Sequence, residues 1–198
     1  MFDRKSEEFI FYNAFPSYLK DQIYNINSKI IFHADFNSIG DFYVKMGDEE
    51  LQIPDRIYYE EPLKAIEDEL TPIQKDILDC LYTRHHNGFV RETRLRRIIM
   101  SEHEWTIPFI LQLLGEYVVE ILYVIEENMN QFDSDRFRSF INNNRDFYFK
   151  TRQRVMSYWN CYYRGTFPNI NDYVGYKIIK YQDKLLNKEQ MVIISGIR

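Results

Sequence analysis

The chain is poor in the residues that break or staple structure. Its 198 residues include only 7 Gly, 6 Pro and 2 Cys. So few Gly and Pro exclude long low-complexity linkers. Cys80 and Cys161 lie far apart without a CxxC spacing, which predicts two reduced core thiols in a reducing compartment rather than a disulfide scaffold. Positive charge is also short. Lys and Arg total 25 against 30 Asp and Glu, for a net charge of −5. A general nucleic-acid binder carries a basic field, because phosphate neutralisation supplies most of its non-specific affinity. The balance therefore makes nucleic acid an unlikely partner. No Gly-rich phosphate loop, dinucleotide fingerprint, G-x-S-x-G or H-E-x-x-H is present, so no cofactor and no metal are expected. The first eight residues are charged and lack an apolar stretch, which predicts no secretory leader and a cytoplasmic location. The longest apolar run, Ile107 to Ile125, is interrupted by Gln112, Glu116 and Glu120. Carboxylates at a bilayer centre are costly, so no membrane partner is expected and the run reads as a buried helix.

Apolar and aromatic material is abundant. Hydrophobic residues make up 45% and aromatics 17%, with 15 Phe and 16 Tyr, enough for a large core. Residues 1–62 read as an N-terminal arm packed on a helical body, 63–198. In the arm, Pro16 to Tyr24 suits a short helix. Lys29–Phe36, Asp41–Met46 and Glu50–Ile53 are β-branched and aromatic runs separated by Asn37–Gly40 and Gly47–Asp48. They suit a small β-hairpin or meander, or else an extended arm.

From residue 63 the apolar period becomes helical. Thr71-Pro72-Ile73-Gln74 is a capping box with Pro in the first turn, and Ile73, Ile77, Leu78 and Leu81 share one face. His85-His86-Asn87-Gly88 ends that helix, and Phe89–Met100 forms the next. Thr106 is expected to start a long helix reaching about Asn128. Asp133 or Ser134 caps a short helix with Phe137, Phe140 and Ile141. An aromatic helix from Arg145 to Tyr163 and a final helix, 172–186, follow. Met191–Ile194 reads as a strand or docked extension. The expected fold class is mainly α: antiparallel helix pairs, as an α-solenoid or an irregular bundle, with a small N-terminal hairpin or arm.

Asn87-Gly88-Phe89-Val90-Arg91, with Leu95 beyond it, resembles the turn and second-helix start of a HEAT-type repeat. Thr93 or Arg94 stands where that family usually has Ala. The stretch Tyr82–Arg91 with Gln112–Tyr117 also resembles a group of bacterial helical proteins to which no chemistry is attached. The HEAT likeness implies a scaffold that binds a macromolecule and implies no enzymology.

Four constellations carry possible chemistry. His33 and Asp35 form an H-x-D pair that a strand would point to one face. His85 and His86 follow Arg84 in a turn, where dipole contacts are the ordinary role. Glu116 and Glu120 stand four apart in the most apolar helix. They read as a salt-bridge ladder toward Arg91, Arg94, Arg152 or Arg154, or as a paired-carboxylate site. Glu116, Glu120, His85 and His86 are therefore the candidate catalytic groups. Finally, Arg91, Arg152 and Arg154 together with Tyr158, Trp159 and Tyr162 are the candidate binding residues, because Tyr, Trp and Arg are enriched at interaction hot spots. The expected function is a cytoplasmic protein-interaction scaffold, of an immunity or toxin-neutralising type, with a protein partner. An enzyme using Glu and His in a helical cleft, and a HEAT-like nucleic-acid module, are the alternatives.

Overall fold

The computed structural model describes residues 12–30 and 40–195, with side chains to residue 187. Among these, nine α-helices and one two-stranded antiparallel sheet form a mainly α fold. The helices are α1 (Lys20–Lys29), α2 (Lys64–Asp68), α3 (Pro72–Tyr82), α4 (Gly88–Ile98), α5 (Ile107–Leu114), α6 (Val119–Asn128), α7 (Ser134–Asn143), α8 (Arg145–Tyr158) and α9 (Val174–Ser195). The strands are β1 (Asp41–Met46) and β2 (Glu49–Pro54). Backbone contacts group the chain into two compact units, 1–109 and 110–198.

In the first unit, β1 and β2 pair in register from Asp41 opposite Pro54 to Met46 opposite Glu49. The turn passes through Gly47 at φ 59°, a left-handed conformation that glycine adopts without a Cβ clash. Val44, Leu51 and Ile53 are buried. Of the expected strand at Lys29–Phe36, Lys29 ends α1 instead, and residues 31–39, including the H-x-D pair His33 and Asp35, lie outside the described residues.

Helix α3 begins as its sequence dictates. Thr71 Oγ1 accepts from the Gln74 N–H, and Gln74 Oε1 accepts from the Thr71 N–H. Both satisfy donors that the first turn leaves without an intrahelical partner. Asn87 caps α4 by accepting from the Phe89 N–H at 3.0 Å. The core of this unit adds Phe15, Trp105 and Phe109. Phe15 stacks on Phe109 at 5.2 Å and meets Trp105 edge-on at 5.6 Å, the two arrangements that the ring quadrupole favours.

In the second unit, α9 packs on α6, α7 and α8 through Val174, Ile178 and Ile179, all buried. Asp133 caps α7, accepting from the N–H groups of Asp135 and Arg136. Helix α8 leads into a π-helical turn, Trp159–Tyr163. Residues 191–194, expected as a strand or docked extension, continue α9.

The long helix expected over 106–128 is broken. Helix α5 ends at Leu114, and α6 starts at Val119. The break falls on Gly115, where a Cβ would stand 2.9 Å from Arg154 Nε and 3.2 Å from Arg154 Cβ. Only glycine admits the Arg154 side chain so close to the backbone, and glycine is also the weakest non-proline helix former. Thr106, the expected cap of this helix, is the last residue of a short 3₁₀ turn and donates from its hydroxyl to the His103 carbonyl at 2.8 Å. Among the described residues no helix is long and apolar enough to cross a membrane.

Candidate functional site

The turn between α3 and α4 holds the two candidate histidines. His85 is buried, and both ring nitrogens are engaged. Nε2 lies 2.9 Å from the Tyr59 carbonyl, and Nδ1 accepts from the Asn87 N–H at 3.1 Å. A carbonyl cannot donate, so Nε2 carries the hydrogen and Nδ1 is bare, the neutral tautomer. Burial lowers the His85 pKa, with the charge of His86 acting the same way. His86 is exposed and stacks on Tyr58 at 5.1 Å. The backbone joins in: Ile57 and His85 form a parallel bridge in which the Ile57 N–H donates to Arg84 O and the His86 N–H donates to Ile57 O, each at 2.9 Å. His85 is thus a lock between segment 55–61 and the helix turn, not an open base.

Arg91 closes the same turn from below. It is 1% exposed, and its Nη1 donates to the carbonyls of His85 and His86, each at 2.8 Å. Expected as a binding residue, Arg91 does not reach the surface. It serves the carbonyls at the end of α3 that lack intrahelical partners.

One turn further along α4, Arg94 organises an ion network. Its guanidinium donates to Asp79 at 2.8 Å, Glu67 at 2.6 Å and Glu61 at 2.8 Å, and it lies over the Tyr82 ring at 5.1 Å. Arg97 adds bonds to Glu67 at 3.1 Å and Asp79 at 3.2 Å. Burial raises the Glu67 carboxyl, but hydrogen bonds and charge from Arg94 and Arg97 outweigh it and hold it below its ordinary value. Desolvation lifts Asp79 above its ordinary value against the pull of the same two arginines. The network borders a cleft of about 540 Å³ that Lys64 and Lys75 also line. Every carboxylate facing Arg94 is already bonded, so the arrangement is that of a structural node. From the sequence Arg94 is only a possible partner of Glu116 and Glu120, because the loop 55–63 that brings Glu61 to it carries no periodic signal.

Glu116 and Glu120 do not stand one turn apart on one helix. The break after Leu114 removes the i, i+4 relation. Glu116 sits buried in the irregular segment, at 3% exposure, and Glu120 is exposed in the first turn of α6. His85 and His86 belong to the first unit, and the two glutamates, differently buried, to the second. Among the described residues no group of three or more His, Cys, Asp or Glu could hold a metal ion.

The candidate binding residues of α8 divide between two faces. Arg152 bonds to Asp183 at 3.1 Å, and Asp183 also accepts from the Tyr148 hydroxyl at 3.2 Å, beside a cleft of about 530 Å³. Arg154 donates to Gln112 Oε1 at 2.7 Å. Beyond them, Tyr158, Trp159 and Tyr162 gather at the π-turn. Trp159 donates from Nε1 to the Phe167 carbonyl at 2.9 Å, and Arg164 lies over its ring at 5.9 Å. The rings of Tyr158 and Tyr162 are 5.9 Å apart, and each also meets Tyr117, at 6.2 and 6.5 Å. Tyr117 comes from the break between α5 and α6, fastened there by the Tyr163 hydroxyl, which donates to the Tyr117 carbonyl. Tyr117 is 51% and Tyr162 66% exposed. The helical stripe of the sequence marks Tyr158 and Tyr162 but not Tyr117, whose only signal is the glycine two residues before it. Comparison with family models, with curated proteins and with solved structures finds no match, so no relative's chemistry bears on these residues.

Proposed function

We propose that the chain is a protein-binding module whose contact surface is the tyrosine cluster of Tyr117, Tyr158 and Tyr162. The observation that carries this reading is that three mutually touching rings stand at the surface, two of them more than half exposed. Tyrosine supplies a large amphipathic contact area at the cost of only two side-chain torsions, and it is enriched where partners bind tightly. Rings already held by their neighbours lose little further freedom on association. The π-turn beneath two of them is a local departure of the kind that recurs at functional sites.

The acidic balance favours a basic partner, for which charge accelerates encounter. An immunity-type or toxin-neutralising binder is the form of this reading that the charge suits best. The two free thiols, Cys80 and Cys161, are in keeping with a reducing, cytoplasmic setting. The resemblance of Asn87–Leu95, at the turn into α4, to a HEAT-type repeat would belong with an interaction scaffold. An enzyme built on Glu116, Glu120, His85 and His86 has less support, because both His85 ring nitrogens are already engaged and the two glutamates do not share a helix. A nucleic-acid module has less again, since Arg152 and Arg154 already bond to Asp183 and Gln112.

The test is capture from the source lysate by the wild-type chain and by a Tyr117→Ser/Tyr162→Ser variant. The expected result is a stoichiometric protein held by the wild type and lost by the variant. A partner held equally by both refutes the surface assignment, and no partner for either refutes the reading.

A further inference from the structure

Three rings at nearly equal distances form a triangle with sides of 5.9, 6.2 and 6.5 Å, with planes tilted by 31°, 58° and 45°. A point about 3 Å above that triangle lies roughly 5 Å from every centroid, inside the ~6 Å within which a cation is attracted to a ring face. The neighbouring cations are engaged elsewhere: Arg154 donates to Gln112, and Arg164 lies over Trp159. That second pair also shows that an aromatic face on this turn takes a guanidinium. A carboxylate lies in the first turn of the next helix, α6. Glu120 is exposed three residues after Tyr117. The Tyr163 hydroxyl, which holds the Tyr117 carbonyl, has its pKa raised chiefly by burial; a backbone hydrogen bond from Val119 pulls it the other way, and the charge of Glu120 adds to the rise. The protein as a whole carries −5.

We infer that the Tyr117–Tyr158–Tyr162 triangle receives an arginine side chain presented by a protein partner, with Glu120 supplying the complementary charge. This rests on the protein-binding reading above and names what that surface recognises. A guanidinium is flat and weakly hydrated, so it stacks on rings at less desolvation cost than an ammonium. Stacking on the tyrosine faces and attraction to Glu120 act on the same group, whereas an apolar side chain would use only the first.

The experiment titrates the full chain with a short oligo-arginine peptide, followed by tyrosine and tryptophan fluorescence, with oligo-citrulline and oligo-lysine of the same length as controls. Citrulline keeps the shape and removes the charge. The expected result is saturable binding of the arginine peptide and none of the citrulline peptide. Binding weakens about tenfold in Tyr117→Leu/Tyr162→Leu, which keeps apolar area and removes the π faces. It weakens about threefold in Glu120→Gln. Both tyrosines are exposed, so an unchanged circular dichroism spectrum is expected for the variant. Arginine binding that the leucine variant retains in full, equal binding of citrulline, or preference for lysine each overturns the inference. The lysate capture separates the two levels. A partner lost on tyrosine substitution, with no tyrosine-dependent arginine binding, overturns the arginine alone; capture of nothing overturns the protein-binding reading beneath it.

Discussion

Replacing Arg94 with methionine keeps the length and apolar stem of the side chain and deletes the guanidinium. Four contacts go with it: Asp79 at 2.8 Å, Glu67 at 2.6 Å, Glu61 at 2.8 Å and the Tyr82 ring at 5.1 Å. The carboxylates do not suffer equally. The Asp79 side chain is 5% exposed and that of Glu67 15%, whereas Glu61 is 45% exposed and turns to water. Removing one partner of a buried ion pair costs about 3–5 kcal/mol, because the other charge stays desolvated. Arg97 still reaches Asp79 at 3.2 Å and Glu67 at 3.1 Å, so the lower end applies, about 3 kcal/mol. The assay is urea unfolding followed by circular dichroism at pH 7, comparing midpoints at a common slope. An Asp79→Asn/Arg94→Met double variant removes the stranded charge, and we expect it to recover at least about 1 kcal/mol of the loss through their coupling. The acid limb adds an independent check. Glu67 titrates below its ordinary 4.5 in the folded chain, so its contribution is complete above 4.5 and is lost as pH falls through the lower folded value. That acid dependence shrinks in Arg94→Met. A loss below about 1 kcal/mol, or a double variant whose losses simply add, refutes the node as described.

Three further outcomes follow from other parts of the fold. His85 is held neutral with its pKa below the ordinary 6.5. The unfolded chain therefore binds the extra proton more readily. Stability is complete above pH 6.5 and falls on acidification until pH passes the folded value. Thermal midpoints between pH 8 and 5 check this, and His85→Gln flattens the slope. Gly175→Ala places a Cβ 2.8 Å from Tyr173 Cε1 and 3.0 Å from Val155 Cγ1, inside a buried contact. It costs about 1–3 kcal/mol by overpacking, although alanine is the better helix former, and a stabilised variant in urea would contradict the packing. Cys161 is exposed and Cys80 fully buried, with its thiol pKa pushed well above the ordinary value by burial. A thiol reagent at pH 8 modifies one cysteine rapidly in the folded chain and the second only in denaturant, as mass spectrometry of the labelled peptides reads directly.

Much of this fold is legible locally. The capping box at Thr71 and Gln74, the Asp133 cap and the Gly47 turn each depend on residues within four positions of one another, and each forms as its residues predict. Tyr158 and Tyr162, one turn apart on one helix, were likewise readable as a pair. What needed the tertiary structure is whatever joins distant segments. In the apolar run 107–125 the only local reason to break is the low helix propensity of Gly115. The break follows from the approach of Arg154, 39 positions later, to a backbone that has no Cβ. The break takes Glu116 out of the helix that carries Glu120, and Tyr117 in the same segment lies beside Tyr158 and Tyr162. Arg91 and Arg94 show the same limit. Sequence shows two cations on a helix, and nothing in their spacing says that one is consumed by the carbonyls of the preceding turn and the other by three carboxylates from the loop, α2 and α3. Caps, turns and periodicity are set by short-range sterics and hydrogen bonds, which the sequence by itself determines. Which charges are buried, and which rings meet at the surface, is decided by long-range packing, because burial is a property of what the rest of the chain places around a residue.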